Sequence, residues 1–229
     1  MGWRELLGGR RPPAPPPPGP LADLAAAPRP GDDAPLAQVR LLALDLETTG
    51  LDPATDELLS FGLVPVDTVE VDLSGARHLP VRPRGGVGES AVVHGLTDDA
   101  LALAPELERV LPRVVEALTG RVLLAHFSQV ETTFLEAACR RVYGTWVPLQ
   151  VVDTMELQRR LVRAQFHELR PGALRLDECR RQHHLPRYRA HSAVVDAIAC
   201  AELFLAQVGA LEARRGRPLV LGDVLDRHA

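Results

Sequence analysis

The spacing of apolar positions changes along the chain, and the changes mark out a succession of strands and helices. Residues 39–47, VRLLALDLE, form a dense apolar run that turns acidic at its end, the pattern of a central strand buried on both faces. LLSFGLVPV and VEVDLSGARHLPV follow. Both are rich in β-branched residues at alternating positions and predict two more strands, joined by a turn around Asp67 and Thr68. The three strands should form an antiparallel meander. Beyond a turn containing Gly85, Gly86 and Gly88, Leu107, Val110, Leu111, Val114, Val115 and Leu118 recur at helical spacing within 105–118, with Pro112 expected to kink the helix.

RVLLAH predicts a buried strand, followed by a helix from about Gln129 to Tyr143, a strand in VPLQVVD ending at Asp153, and a helix from Met155 to Val162. Such alternation predicts parallel strands joined by crossover helices. After a loop through Pro171 and Gly172, a short helix is expected over Leu176 to His183. A long one follows from about Ser192 to Val208, with Ala193, Ala197, Ala201 and Leu205 along one side. The C-terminal PLVLGDVL suits either a small extra strand or an interface segment. The fold class is therefore α/β, with a mixed sheet whose early strands are antiparallel and whose later ones are parallel.

Composition sets the organisation. With 229 residues, 46% apolar and 24% charged, the chain has the balance of a globular protein and room for one domain plus a tail. Much of the proline falls between Arg10 and Asp33, including Pro15 to Pro18, so residues 1–37 are expected to be a flexible leader, 38–210 the folded domain and 211–229 a C-terminal tail. Trp3, Leu6 and Leu7 suit a small docking element, which would make the leader a site for a protein partner.

Acidic residues outnumber basic ones by 30 to 26, for a net charge of -4, which excludes a histone-like nucleic-acid wrapper but not an acidic, metal-holding site. Every basic residue is Arg. Cys139, Cys179 and Cys200 are odd in number and far apart, which fits neither a disulfide framework nor a Cys-x-x-Cys metal site. Together with the lack of a signal-peptide core or of a run of about 18 apolar residues, this predicts a cytoplasmic protein with no membrane partner.

The chemistry lies in the acidic residues. Asp45 and Glu47 stand at i and i+2, so both project from one face of a strand, at the end where α/β sheets bind ligands. Two close carboxylates repel, and a divalent cation relieves the repulsion. The same spacing also fits a strand end where Asp45 begins a turn and Glu47 is solvated. Asp196 adds weight, because it lies among Ala193, Val194, Val195, Ala197 and Ile198, where an unpaired carboxylate is costly to bury. His191, five residues earlier, is the side-chain type best suited to general-base work near neutral pH.

LDLETTGLDP, VHGLTDDAL, AHFSQVETTFL, VVDTMEL and RAHSAVVDA, taken in order, resemble the motifs of the DEDDh 3′–5′ exonucleases, the group that includes the proofreading epsilon subunit of bacterial DNA polymerase III. The likeness runs from about Val39 to Val208. It implies a ribonuclease H-like fold, a mixed five-stranded sheet with helices on both sides. It also implies that Asp45, Glu47, Asp196 and Glu131 hold two divalent ions, Mg²⁺ or Mn²⁺, and that His191 takes a proton from the attacking water. The chain departs from the pattern, which has His-Asn and then Phe-Asp, by showing His126-Phe127 and then Val130-Glu131. The longer Glu131 arm is expected to weaken the second metal or to favour Mn²⁺.

The implied activity is removal of nucleoside monophosphates from single-stranded DNA or short oligonucleotides. The alternative is a binding module of the same fold, associated with nucleic acid or a polymerase, with weakened catalysis. The resemblance further implies that Thr48, Thr49 and Gly50 grip the terminal nucleotide and that Leu51 and Leu96 touch its base, although both leucines also suit core packing. Phe127 is read either as a stacking surface for a base or as core. Asp153 is expected to cap the helix that starts near Thr154.

Overall fold

The computed structural model describes residues 15–90, 92, 95–163, 170–188 and 191–227. The candidate docking residues Trp3, Leu6 and Leu7, and Val93 and His94 of the VHGLTDDAL motif, lie outside these.

A mixed sheet forms the centre. Strand β1 (Leu41–Thr48) pairs antiparallel with β2 (Leu58–Asp67), and the outer edge of β2 carries β3 (Glu70–Val71) and β4 (Arg77–Pro80) end to end. On the other side of β1 run β5 (Val122–Ala125) and then β6 (Val151–Asp153), both parallel to it. The expected meander and the expected parallel strands are both present. The sheet has six strands where five were expected, because Asp72 interrupts the third. Its carboxylate accepts the Ser74 and Gly75 N–H groups at 2.9 and 3.1 Å and winds a single 3₁₀ turn, Leu73–Gly75, between β3 and β4. The preceding turn places Thr68 and Val69 at φ 52° and 60°, a left-handed pair that suits the twist of a tight hairpin but strains two β-branched residues.

Alternation along β1 explains why it is central. Leu42 and Leu44 enter one apolar cluster with Phe61, Leu123 and Leu135, whereas Leu41 and Ala43 enter a second with Val64, Leu124 and Phe204. The first cluster is covered by α1 (Pro20–Ala26), α3 (Leu107–Leu118) and α4 (Gln129–Tyr143); between β4 and α3 lies the short α2 (Asp98–Leu101). The α3 stripe is the one expected, and the helix continues through Pro112. The second cluster is covered by α5 (Thr154–Arg163) and α7 (Ala193–Arg215), with α6 (Leu176–Gln182) beside them.

Three expectations shift. Residues 20–37 do not form a loose leader: Leu21 is fully buried, Leu24 is 6% exposed, and α1 packs on α3. Helix α7 continues past 208, and Leu219, Leu221, Val224 and Leu225 complete the second cluster, so the chain beyond 210 is part of the domain. Val220 bridges back to Pro35, which ties this segment to the segment before β1. Finally, α7 is long and apolar enough to cross a bilayer by length and composition. Its stripe of Ala193, Ala197, Ala201, Phe204 and Val208 is instead buried within the domain.

Candidate active site

The parallel strands β1, β5 and β6 end side by side, leading into Asp45 and Glu47, His126, and Asp153 respectively. This is the edge of an α/β sheet at which ligands bind. Asp45 and Glu47 alternate with Leu44 and Leu46, which face the first cluster, so the carboxylates emerge on the α7 side.

Glycine brings the third carboxylate to them. Asp45 is paired with Gly62 on β2, and a Cβ at Gly62 would fall 2.0 Å from the carbonyl carbon and oxygen of Ala193. The first turn of α7 therefore rests directly on the β2 backbone, beside Asp45, and Asp196 lies in that turn. Oxygen atoms of Asp45, Glu47 and Asp196 come within 4.8 Å of one another. Asp196 also accepts the N–H groups of His191 and Ser192 at 2.7 and 3.2 Å, which fixes the backbone that carries the imidazole. His191 is exposed, has φ 71°, and lines a hollow of about 640 Å³ with Asp45, Asp196 and His126.

Glu131 is only 4% exposed, in the first turn of α4, and its Oε2 has no hydrogen-bond partner among the described residues. Glu131 stands outside the group of three that come within 4.8 Å, yet near enough for its charge to act on Asp45, and a buried, unpartnered carboxylate oxygen is the situation a cation resolves. The acidity of the group follows from the same geometry. Burial raises the Asp45 carboxyl well above its ordinary range, helped by the charges of Glu131, Asp196 and Glu47. Glu47 is pushed from 4.5 to about 7 by burial and by Asp196. Glu131 is pushed from 4.5 to about 8 by burial and by Asp153. Burial raises Asp196 too, against the opposing pull of the His191 and Ser192 amides. Oxygen donors in this number and charge suit a hard divalent cation.

Asp153 does not join the cluster. Its carboxylate accepts the N–H groups of Phe127, Ser128 and Met155 at 3.0, 2.9 and 2.8 Å, so it caps α5 as expected and also fastens the loop that precedes α4. His126 bridges Thr154 Oγ1 and the Leu174 carbonyl, each at 2.8 Å, and pins the strand end to the chain before α6.

The residues expected to contact the terminal nucleotide are arranged differently from one another. Thr48 Oγ1 donates to the Gly50 carbonyl, while Thr49 Oγ1 donates to Asp56 and accepts the Glu57 N–H, so both hydroxyls brace the loop after β1. At Gly50 a Cβ would lie 2.4 Å from the Asp56 carboxylate, which would have to move away from Thr49 and the Asp52 N–H to admit it. Leu51 stands in the open at 75% exposure. Leu96 is half-buried and packs beside Leu59, Val87 and Leu101, the core alternative. Phe127 is 43% exposed and, among the described residues, belongs to none of the apolar clusters.

A family model described as exonuclease, of the RNase T type, matches residues 42–204, a span that contains all four carboxylates and His191. The chain belongs to this exonuclease family. The PolC-type DNA polymerase III of Thermotoga maritima is 27% identical over 175 residues, which are 76% of this chain and 12% of that protein. The epsilon subunit of DNA polymerase III from Pasteurella multocida is 25% identical over 180 residues, 74% of this chain and 68% of the subunit. Among solved structures, the nuclease domain of 3′hExo, a DEDDh family member bound to rAMP, is similar at a TM-score of 0.65 and 17% identity, covering 85% of this chain and 99% of that one. The exonuclease chain thus spans about an eighth of the PolC-type polymerases and about two thirds of the epsilon subunit. The resemblance to DEDDh exonucleases and the ribonuclease H-like fold are borne out, with six strands in place of five.

Proposed function

We propose that this exonuclease works from the 3′ end of single-stranded DNA or short oligonucleotides and releases nucleoside monophosphates. The observation that carries the reading is the gathering of Asp45, Glu47 and Asp196 oxygens within 4.8 Å of one another, with Asp45 and Asp196 lining one hollow together with His191. The rAMP bound to the nuclease domain of 3′hExo is a nucleoside monophosphate, the class of product this reaction forms.

Asp45, Glu47, Asp196 and Glu131 would hold two divalent ions, Mg²⁺ or Mn²⁺, which when bound supply Lewis-acid stabilisation of charge at phosphorus and acidify water. The protein's own share is positional. A ring nitrogen of His191 accepts a proton from the attacking water as its oxygen bonds to phosphorus. The bond from phosphorus to the 3′ oxygen breaks, that oxygen takes up a proton from solvent, and the strand leaves one nucleotide shorter. Asp196 contributes twice, with its carboxylate in the cluster and with its grip on the His191 and Ser192 amides, which aims the imidazole. A base so placed is worth about 10²–10⁴ in rate.

Incubation of a 3′-labelled single strand with the purified protein and Mg²⁺ or Mn²⁺ tests the reading. Labelled monophosphate should appear, and EDTA or Asp45→Asn should abolish it. Cleavage that survives either treatment would refute the assignment, and so would no cleavage with either metal.

A further inference from the structure

The least comfortable residue near the site is Phe127. Its φ of 70° puts a bulky aromatic in the left-handed region, which is costly for any residue with a large side chain. Among the described residues, packing does not offset that cost, because the ring is 43% exposed and outside every apolar cluster. Strain of this kind persists only where the surroundings impose it, and it gathers at functional sites. Here the imposing group is Asp153, whose buried carboxylate holds the N–H of Phe127 and that of Met155 together. Phe127 and Met155 stand together as one ridge, since both line the same two hollows.

Hollows flank this ridge. One, of about 510 Å³, is lined by Phe127 and Met155 together with His126, Leu174, Arg170 and Arg175. The other, of about 890 Å³, is lined by the same Phe127 and Met155 with Thr132, Trp146, Arg140 and Arg159. The first hollow shares His126 and Arg175 with the one that contains Asp45, His191 and Asp196, so the hollow beside the ridge adjoins the one that holds the acidic residues. Arg170 and Arg175 are exposed and make no ion pair among the described residues. The hollow thus sets an aromatic surface beside exposed guanidinium groups, the two kinds of surface that take the bases and the phosphates of a single nucleic-acid strand.

We infer that Phe127, backed by Met155, is a stacking platform for a nucleobase upstream of the 3′ terminal nucleotide, with Arg170 and Arg175 receiving the adjoining phosphates. The inference deepens the exonuclease reading and rests on it for the direction of the strand. Its consequence is selectivity for single strands, since a paired base cannot lie on the ring.

The test walks one 2-aminopurine, and in a parallel series one abasic site, along a short single-stranded oligodeoxynucleotide. Binding is followed by fluorescence in EDTA, and cleavage is followed separately with Mn²⁺. One upstream position should be quenched by the full chain, and that quench should vanish in Phe127→Ala. Phe127→Ala should weaken binding about 5- to 150-fold, the range of one stacked base. An abasic site at the same position should weaken wild-type binding equally, and the variant's binding hardly further. Phe127→Asn keeps a residue at ease in the left-handed region, so it should melt higher than wild type yet bind as poorly as Phe127→Ala. Phe127→Tyr should retain binding. The platform is refuted if the abasic and Phe127→Ala penalties multiply, or if Phe127→Asn binds like wild type. Quenching without cleavage would overturn the exonuclease reading and leave the platform standing. Cleavage without a quenched position would do the reverse, and neither binding nor cleavage would overturn both.

Discussion

Replacing Glu131 by Gln preserves shape and removes a single ionisable, buried carboxyl beside the acidic cluster. In the folded protein that group is held at about 8, against an ordinary 4.5. Below 4.5 both folded and unfolded chains keep the proton, and the group has no effect on stability. Between 4.5 and 8 the unfolded chain ionises while the folded one resists, so each pH unit costs the folded state about 1.4 kcal/mol. By pH 7 the loss is on the order of 3 kcal/mol, a large fraction of the 5–15 kcal/mol that typically separates folded from unfolded chains. The Glu131→Gln variant has no such loss, and it also relieves Asp45, whose acidity Glu131 helps to suppress. Urea titrations in EDTA at about pH 5 and about pH 7 should therefore show Glu131→Gln gaining up to about 3 kcal/mol on wild type across the interval. Parallel losses in the two proteins, within about 0.5 kcal/mol, would refute the burial of an unpartnered Glu131 carboxylate. With Mn²⁺ present the order should reverse, because the cation makes the wild-type charge favourable.

Other outcomes follow from the same geometry. Glu47, raised to about 7, titrates in the same sense, so wild-type stability in EDTA should fall as pH rises from 4.5 to 7, and the melting-temperature gain from Mg²⁺ or Mn²⁺ should grow over that interval. His191→Ala should lower hydrolysis about 10²- to 10⁴-fold while metal-dependent stabilisation of the fold persists; calorimetry and a cleavage assay separate the two. Gly62→Ala places a methyl group 2.0 Å from the Ala193 backbone, so it should destabilise by about 3 kcal/mol, read in urea, and lower cleavage further by lifting Asp196 away from Asp45. Thr68→Asn eases an exposed left-handed residue and should stabilise by about 0.5–1 kcal/mol, measured by thermal melting.

The sequence makes the sheet and its helices legible wherever a period is sustained. The apolar run of β1, the 3.6-residue stripe of α3 and the small-residue face of α7 all lie where the pattern puts them. The third strand is not legible as two, because Asp72 reads as one polar position in an alternating run until its carboxylate is seen gathering N–H groups. Nor is the packing of Leu21 and Leu24, because two leucines beside a proline tract form no period. In the site, Asp45 and Asp196 stand out as charges in apolar surroundings. Gly62 does not, since a glycine in a strand pattern gives no indication of which helix will press on it. Glu131 reads as a substitution that lengthens an arm; that its oxygen is buried and unpartnered emerges only from the fold.

The most direct measurement is anomalous diffraction from crystals soaked in manganese chloride. Manganese coordinated by oxygens of Asp45, Glu47 and Asp196, with Glu131 turned toward it, is the expected result. Manganese bound elsewhere, or none at all while those carboxylates stand apart, would contradict a shared metal centre at the end of β1.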